Sequence, residues 1–162
     1  MDENIVALFA APPDPPAPAT TASGTAPQQT KTDWFLQGLV KMINGTDASL
    51  GVTLQVGGLL VSGTLVSGHK YFSGVGAELA AATPGSDETK ERLRSTISRL
   101  GENFTKPADG NEPKPLPQYI HLKEARFFHV GGKPIPSNNG VWWRGRLSEV
   151  GGFCLGILDM QG

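Results

Sequence analysis

The sequence predicts an α+β fold: a small, strongly curved antiparallel sheet or barrel of about five strands, with a leading helix and a helical insertion, preceded by a disordered arm. Three observations carry this. Residues 52–65 alternate apolar and polar around Gly57-Gly58, residues 69–104 switch to helical spacing, and residues 119–157 return to alternation. The expected boundaries are an arm at 1–32 and a single domain at 33–162, with the insertion at about 69–104 and a Pro-rich loop at about 105–118. A chain of 162 residues suits one domain of ordinary size. Its hydrophobic fraction of 38% can fill one core, while 21 glycines and 13 prolines leave much of it for loops.

The arm places prolines 12, 13, 15, 16, 18 and 27 among Ala, Thr, Ser and Gln. Such a segment buries too little surface to offset its ordering entropy. The apolar tip Ile5–Phe9 is tethered at the start of this arm, either as a frayed end or as a short docking peptide for a partner. Acidic Met1-Asp2-Glu3-Asn4 is unlike the basic start of a secretory signal, so a cytoplasmic protein is expected.

Asp33 is placed to cap a helix whose apolar stripe is Phe35, Leu36, Leu39, Val40 and Ile43, with Gly45 to end it. In the hairpin, a two-residue Gly57-Gly58 turn pairs Val56 with Leu59 and Leu54 with Val61. Gly63 then opposes Val52, where a glycine implies curvature or close backbone approach. Tyr71, Phe72, Val75 and Leu79 form a helical stripe weakened by Gly74 and Gly76. Pro84-Gly85 breaks that helix, and Ser86 caps another running to about Phe104 along Leu93, Ile97, Leu100 and Phe104.

In the last third, Ile120 and Leu122 share one phase and Ala125 and Phe127 the other, which predicts a bulge near Lys123-Glu124. Val141, Trp143, Gly145 and Leu147 alternate with Trp142, Arg144, Arg146 and Ser148. A three-residue loop at Val150–Gly152 would set Leu147 against Leu155 and Gly145 against Ile157 in a second hairpin.

Catalytic chemistry has little footing. His69, His121 and His129 form no metal-binding spacing, and no cofactor is called for. His121 and His129 stand roughly 26 Å apart along one strand, which reads as surface or satisfied strand histidines. Cys154 in an apolar strand reads as a packed thiol. No nucleophile elbow, phosphate loop or dinucleotide fingerprint is complete. A net charge of -1 excludes a nucleic-acid binder driven by bulk charge, and no apolar run is long enough to cross a bilayer. The suggestive patch is Trp142, Arg144 and Arg146 on one strand face, a pairing of residue types common at protein interfaces. The competing reading has the helices cover this face and Trp142 serve as core.

Tyr119-Ile120-His121-Leu122-Lys123, Trp143 to Val150 and Gly152-Phe153-Cys154-Leu155-Gly156 together resemble the C-terminal blocks of the gas vesicle accessory protein GvpU family. Val61 to Ser67 with Tyr71-Phe72 is similar to its middle block, and the resemblance spans roughly residues 33 to 158. It implies a non-enzymatic bacterial accessory protein, cytoplasmic or vesicle-associated, that assists vesicle assembly or modulates vesicle association. The implied partners are the vesicle shell or other gas vesicle proteins, with self-association through sheet edges compatible with the pattern. The resemblance brings no catalytic residues across to this chain. A weaker fold-level similarity, to small Sm-like barrels, leaves a nucleic-acid-binding module as the alternative.

Overall fold

The computed structural model describes residues 32–46, 48–105, 115–129 and 132–158. Residues 1–31 of the expected arm, residues 106–114 of the Pro-rich loop and the last four residues lie outside the described residues. Helix α1 (Trp34–Asn44) begins where its cap predicts: Asp33 Oδ1 accepts from the Leu36 N–H at 2.9 Å, and Gly45 ends it. Its buried stripe of Leu36, Leu39, Val40 and Ile43 is the one the spacing predicts. Phe35, at the start of the helix, is 38% exposed.

Strands β1 (Leu50–Val56) and β2 (Leu59–Leu65) pair in the predicted register, Val56 with Leu59 and Leu54 with Val61. Gly57 and Gly58 have φ of 56° and 83°, so both turn residues occupy the left-handed region that a tight hairpin demands. Gly63 opposes Val52, and a Cβ there would lie 3.0 Å from both Ala125 Cα and Lys123 O. That close approach is made by the predicted bulge in β3 (Tyr119–Phe128). Its pairing shifts against β2 between Ser62 and Thr64, and against β4 (Val141–Arg146) between Leu122 and Ala125. Glu124 absorbs the irregularity with φ of 56°.

Among the described residues the strands form one antiparallel sheet in the order β4-β3-β2-β1-β5, where β5 is Val150–Leu155. Val52, Leu54, Val61, Leu65, Ile120, Leu122 and Ala125 face α1 and form the core with its stripe. The second hairpin does not form. After β4 the chain makes a 3₁₀ turn at Leu147–Glu149, which buries Leu147 in the core, and β5 pairs with β1 instead: Leu155 opposes Val52 and Phe153 opposes Leu54. The apolar phase of β5 fits β1 as well as it would fit β4, so alternation alone could not choose. The same connection shows how far the sheet curls. Four residues from Arg146 to Val150 reach at most about 14 Å, whereas the edges of five flat strands lie about 19 Å apart. The curl stops short of a barrel, for β4 and β5 remain the two edges of an open sheet.

The insertion holds α2 (Gly68–Ala82), α3 (Asp87–Arg99) and the single turn α4 (Glu102–Thr105). Ser67 and Ser86 cap α2 and α3 by accepting from the Lys70 and Thr89 N–H groups. Two expected seam residues are solvent-facing: Leu79 is 42% and Leu100 49% exposed. The seam instead uses glycine. A Cβ on Gly76 would sit 2.9 Å from Arg94 O, and one on Gly101 would sit 3.0 Å from His69 Cα. The second helix therefore breaks at Gly101 rather than continuing to Phe104.

Candidate protein-interaction face

The face of β3 and β4 turned away from α1 carries the residues with chemistry. Across the two strands His121 opposes Arg144 and Tyr119 opposes Arg146, so these four side chains share one face. Arg144 is exposed, yet held at both ends. Its guanidinium carbon stands 3.5 Å over the Tyr119 ring, and its Nε donates to His121 Nε2 at 3.3 Å. Arg146 is exposed at the end of β4.

His121 is completely buried, which corrects the surface reading of it; it is a strand histidine with one of its two ring nitrogens hydrogen-bonded. The insertion lies over it: Tyr71 and Phe72 of α2 and Phe104 of α4 place their rings 4.8, 5.9 and 5.4 Å away. Because Nε2 accepts from Arg144, the ring proton resides on Nδ1. That buried nitrogen has no hydrogen-bond partner among the described residues. Burial, with the Arg144 charge adding to it, lowers the His121 pKa to about 4, so the imidazole is neutral near pH 7. Burial raises the Tyr71 phenol, partly opposed by Arg144.

Trp142 is half-buried and meets Tyr71 edge-on at 6.0 Å. A Cβ on Gly74 would fall inside the Trp142 ring, so α2 can approach only because position 74 is glycine. The other side of Trp142 lines an open pocket of about 490 Å³, with Val66, His69, Lys70, Ser73, Gly74 and Lys123. Lys123 pairs with Glu124 at 3.1 Å. The pocket thus offers an indole wall and cationic, hydrogen-bond-donating groups. Arg144 and Arg146 extend the exposed cationic surface along β4.

Other candidates fall elsewhere. Cys154 is exposed, not packed, because β5 is an edge strand. His129 is exposed beyond the end of β3. Among the described residues no three His, Cys, Asp or Glu side chains are grouped so as to hold a metal ion, and no helix is long and apolar enough to cross a membrane.

Residues 33–158 match the family described as "Gas vesicle protein GvpU-like". The chain belongs to this family. No curated protein and no solved structure matches it. As a GvpU-like chain it is a gas vesicle-related protein, and the match runs from the cap of α1 through β5. It takes in the whole Trp142–Arg144–Arg146 face and the insertion over His121, and leaves out the Pro-rich arm. Tyr119 and His121, which hold Arg144, belong to a block on which the resemblance rests, yet alternation alone gives them no role. The signal for them was the aromatic trio Tyr71, Phe72 and Phe104 on the insertion, which needs an apolar surface to cover.

Proposed function

We propose that this chain is a non-enzymatic gas vesicle accessory protein. It assists vesicle assembly or modulates vesicle association through protein–protein contacts at the face of Trp142, Arg144 and Arg146. The observation that carries the reading is the fixation of Arg144. An exposed arginine stacked on Tyr119 and bonded to a buried histidine has lost its rotamer freedom before any partner arrives. Preorganised arginine beside a half-buried indole is the composition of a protein-binding hot spot. The implied partner is a vesicle shell protein or another gas vesicle protein, met in the cytoplasm.

Flotation tests this. The purified protein is mixed with stripped gas vesicles, the buoyant layer is collected by centrifugation, and bound protein is titrated to saturation. Arg146→Glu is the cleanest probe, since Arg146 is exposed on β4 and supports no core contact. Saturable flotation that weakens at least about tenfold in Arg146→Glu, with an unchanged melt, is expected. Flotation unaffected by Arg146→Glu and Arg144→Glu would move the contact off this face. Absent flotation at every salt concentration would reject direct vesicle contact. The element order keeps the leading helix and glycine-bent hairpin behind the nucleic-acid alternative. RNA binding with a steep salt dependence would favour that reading instead.

A further inference from the structure

The first turn of α1 and the edge strand β5 build one apolar ridge. Trp34 and Phe35 are 43% and 38% exposed, and their rings meet edge-on at 5.7 Å. The Phe35 ring lies 5.9 Å from that of Phe153. Leu155, two residues beyond Phe153 and so on the same strand face, is 57% exposed. The backbone beside this ridge is a sheet edge. Gly156 N–H donates to Gly51 O at 2.8 Å. The alternation of an antiparallel ladder then turns the amides of Cys154 and Gly152 toward β1 and those of Phe153 and Leu155 outward. Large exposed apolar side chains and an outward-facing strand edge therefore coincide, a combination that soluble proteins normally cover.

The chain itself supplies a cover of the right chemistry at the right place. The arm ends at Thr32 and Asp33, immediately before Trp34, so its attachment point is the ridge itself. Within the arm, Ile5-Val6-Ala7-Leu8-Phe9 is an uncharged apolar run, joined to the ridge through residues 10–32. If it behaves as the flexible coil its composition predicts, a segment of that length would span roughly 25 Å end to end, enough to bring the run back over β5. A tether so short holds the run at roughly millimolar effective concentration, above what a second copy reaches in solution.

We propose that Ile5–Phe9 docks in cis on the β5 edge, its apolar side chains covering Trp34, Phe153 and Leu155. The docked segment would lie along the outward amides of β5. The proposal concerns a different surface from the Trp142 face and stands or falls apart from it.

Cys154 makes the test direct. It is the sole cysteine and is exposed, and its side chain points to the opposite strand face from Phe153 and Leu155. A spin label attached there reports proximity without occupying the ridge. In the ¹⁵N-labelled full chain, the amides of Ile5–Phe9 should broaden at least about twofold more than those of Thr20–Ala26, which lie closer to the ridge along the sequence. The paired substitution Val6→Asp and Leu8→Asp should abolish the excess. A mixture of spin-labelled ¹⁴N protein with ¹⁵N Cys154→Ser protein should show no broadening of Ile5–Phe9 at micromolar concentration. Broadening that declines smoothly from residue 31 to residue 1 would overturn the proposal. Broadening of Ile5–Phe9 that persists in the mixed sample would also overturn it, by assigning the ridge to a second copy.

Discussion

Acidification should destabilise this protein through His121 well before most carboxylates protonate. In the folded chain the imidazole titrates at about 4, held down first by burial and then by Arg144. In the unfolded chain it titrates near the ordinary value of about 6.5. Between those values the unfolded state binds more protons than the folded one, so stability rises with pH and is lost as pH falls. Above about pH 7 the contribution is fully present. Linkage over this interval gives a loss of about 2 kcal/mol by pH 5 and about 3 kcal/mol by pH 4. The groups facing the ring from every packed element are Arg144 on β4, Tyr71 and Phe72 on α2 and Phe104 on α4. None of these is a carboxylate that could hold the imidazolium.

The assay is urea unfolding of wild type and His121→Phe at several values between about pH 8 and pH 4.5. Phenylalanine suits a site lined by three aromatic rings and removes the unpartnered Nδ1–H, though its extra bulk costs about 1 kcal/mol at any pH. With a urea slope of 1–3 kcal/mol/M, the wild-type midpoint should drop by about 1 M more than the variant midpoint between pH 8 and pH 5. Using the difference between the two proteins cancels the titration of all other groups. Parallel pH profiles would refute the reasoning, as would an NMR titration of the His121 ring near its ordinary value.

Three further substitutions test the packing. Gly74→Ala should lower stability by about 1–3 kcal/mol, although alanine favours helix by about 1 kcal/mol, because the new methyl displaces Trp142. A thermal melt shows the sign, and a stabilised variant would mean that α2 does not rest on Trp142. Ser62→Ala should cost about 1–3 kcal/mol by urea titration, since Ser62 Oγ accepts from the Leu158 N–H at 2.8 Å and bonds Thr53 Oγ1 at 2.9 Å in a buried site. Gly63→Ala should cost about 1–3 kcal/mol and disturb the bulge of β3, seen as faster amide exchange at Lys123 and Ala125, because its Cβ meets that backbone.

The features legible in the sequence are those decided within a few residues. Asp33 and Ser86 cap the helices they precede because a side-chain oxygen reaches an amide three residues on. Gly57-Gly58 fixes the hairpin because only that turn keeps Leu54 and Val61 on one face. The bulge was legible for the same reason, as a slip of phase between Leu122 and Ala125. What stayed hidden depends on partners distant in sequence. The alternation of β5 satisfies β1 or β4 equally, and the choice is made by Leu147, which the 3₁₀ turn commits to the core.

The glycines of α2 show the same division more sharply. By propensity Gly74 and Gly76 argue against a helix. In the structure each marks where another element comes closest, Trp142 at position 74 and α3 at position 76. Their cost in helix propensity is offset by packing that a larger residue would prevent, and that packing seals the aromatic cover over His121. The candidate face then follows from the insertion. Without α2 and α4 across β3, His121 would be solvated, and the acceptor it presents to Arg144 would no longer be fixed by the rings of Tyr71, Phe72 and Phe104. A partner would meet a mobile arginine on an open strand instead of one already aligned. The residues that organise the candidate face are therefore not the ones proposed to touch a partner, and a search for surface aromatic and arginine residues alone finds Trp142, Arg144 and Arg146 but passes over the histidine and the glycine that place them.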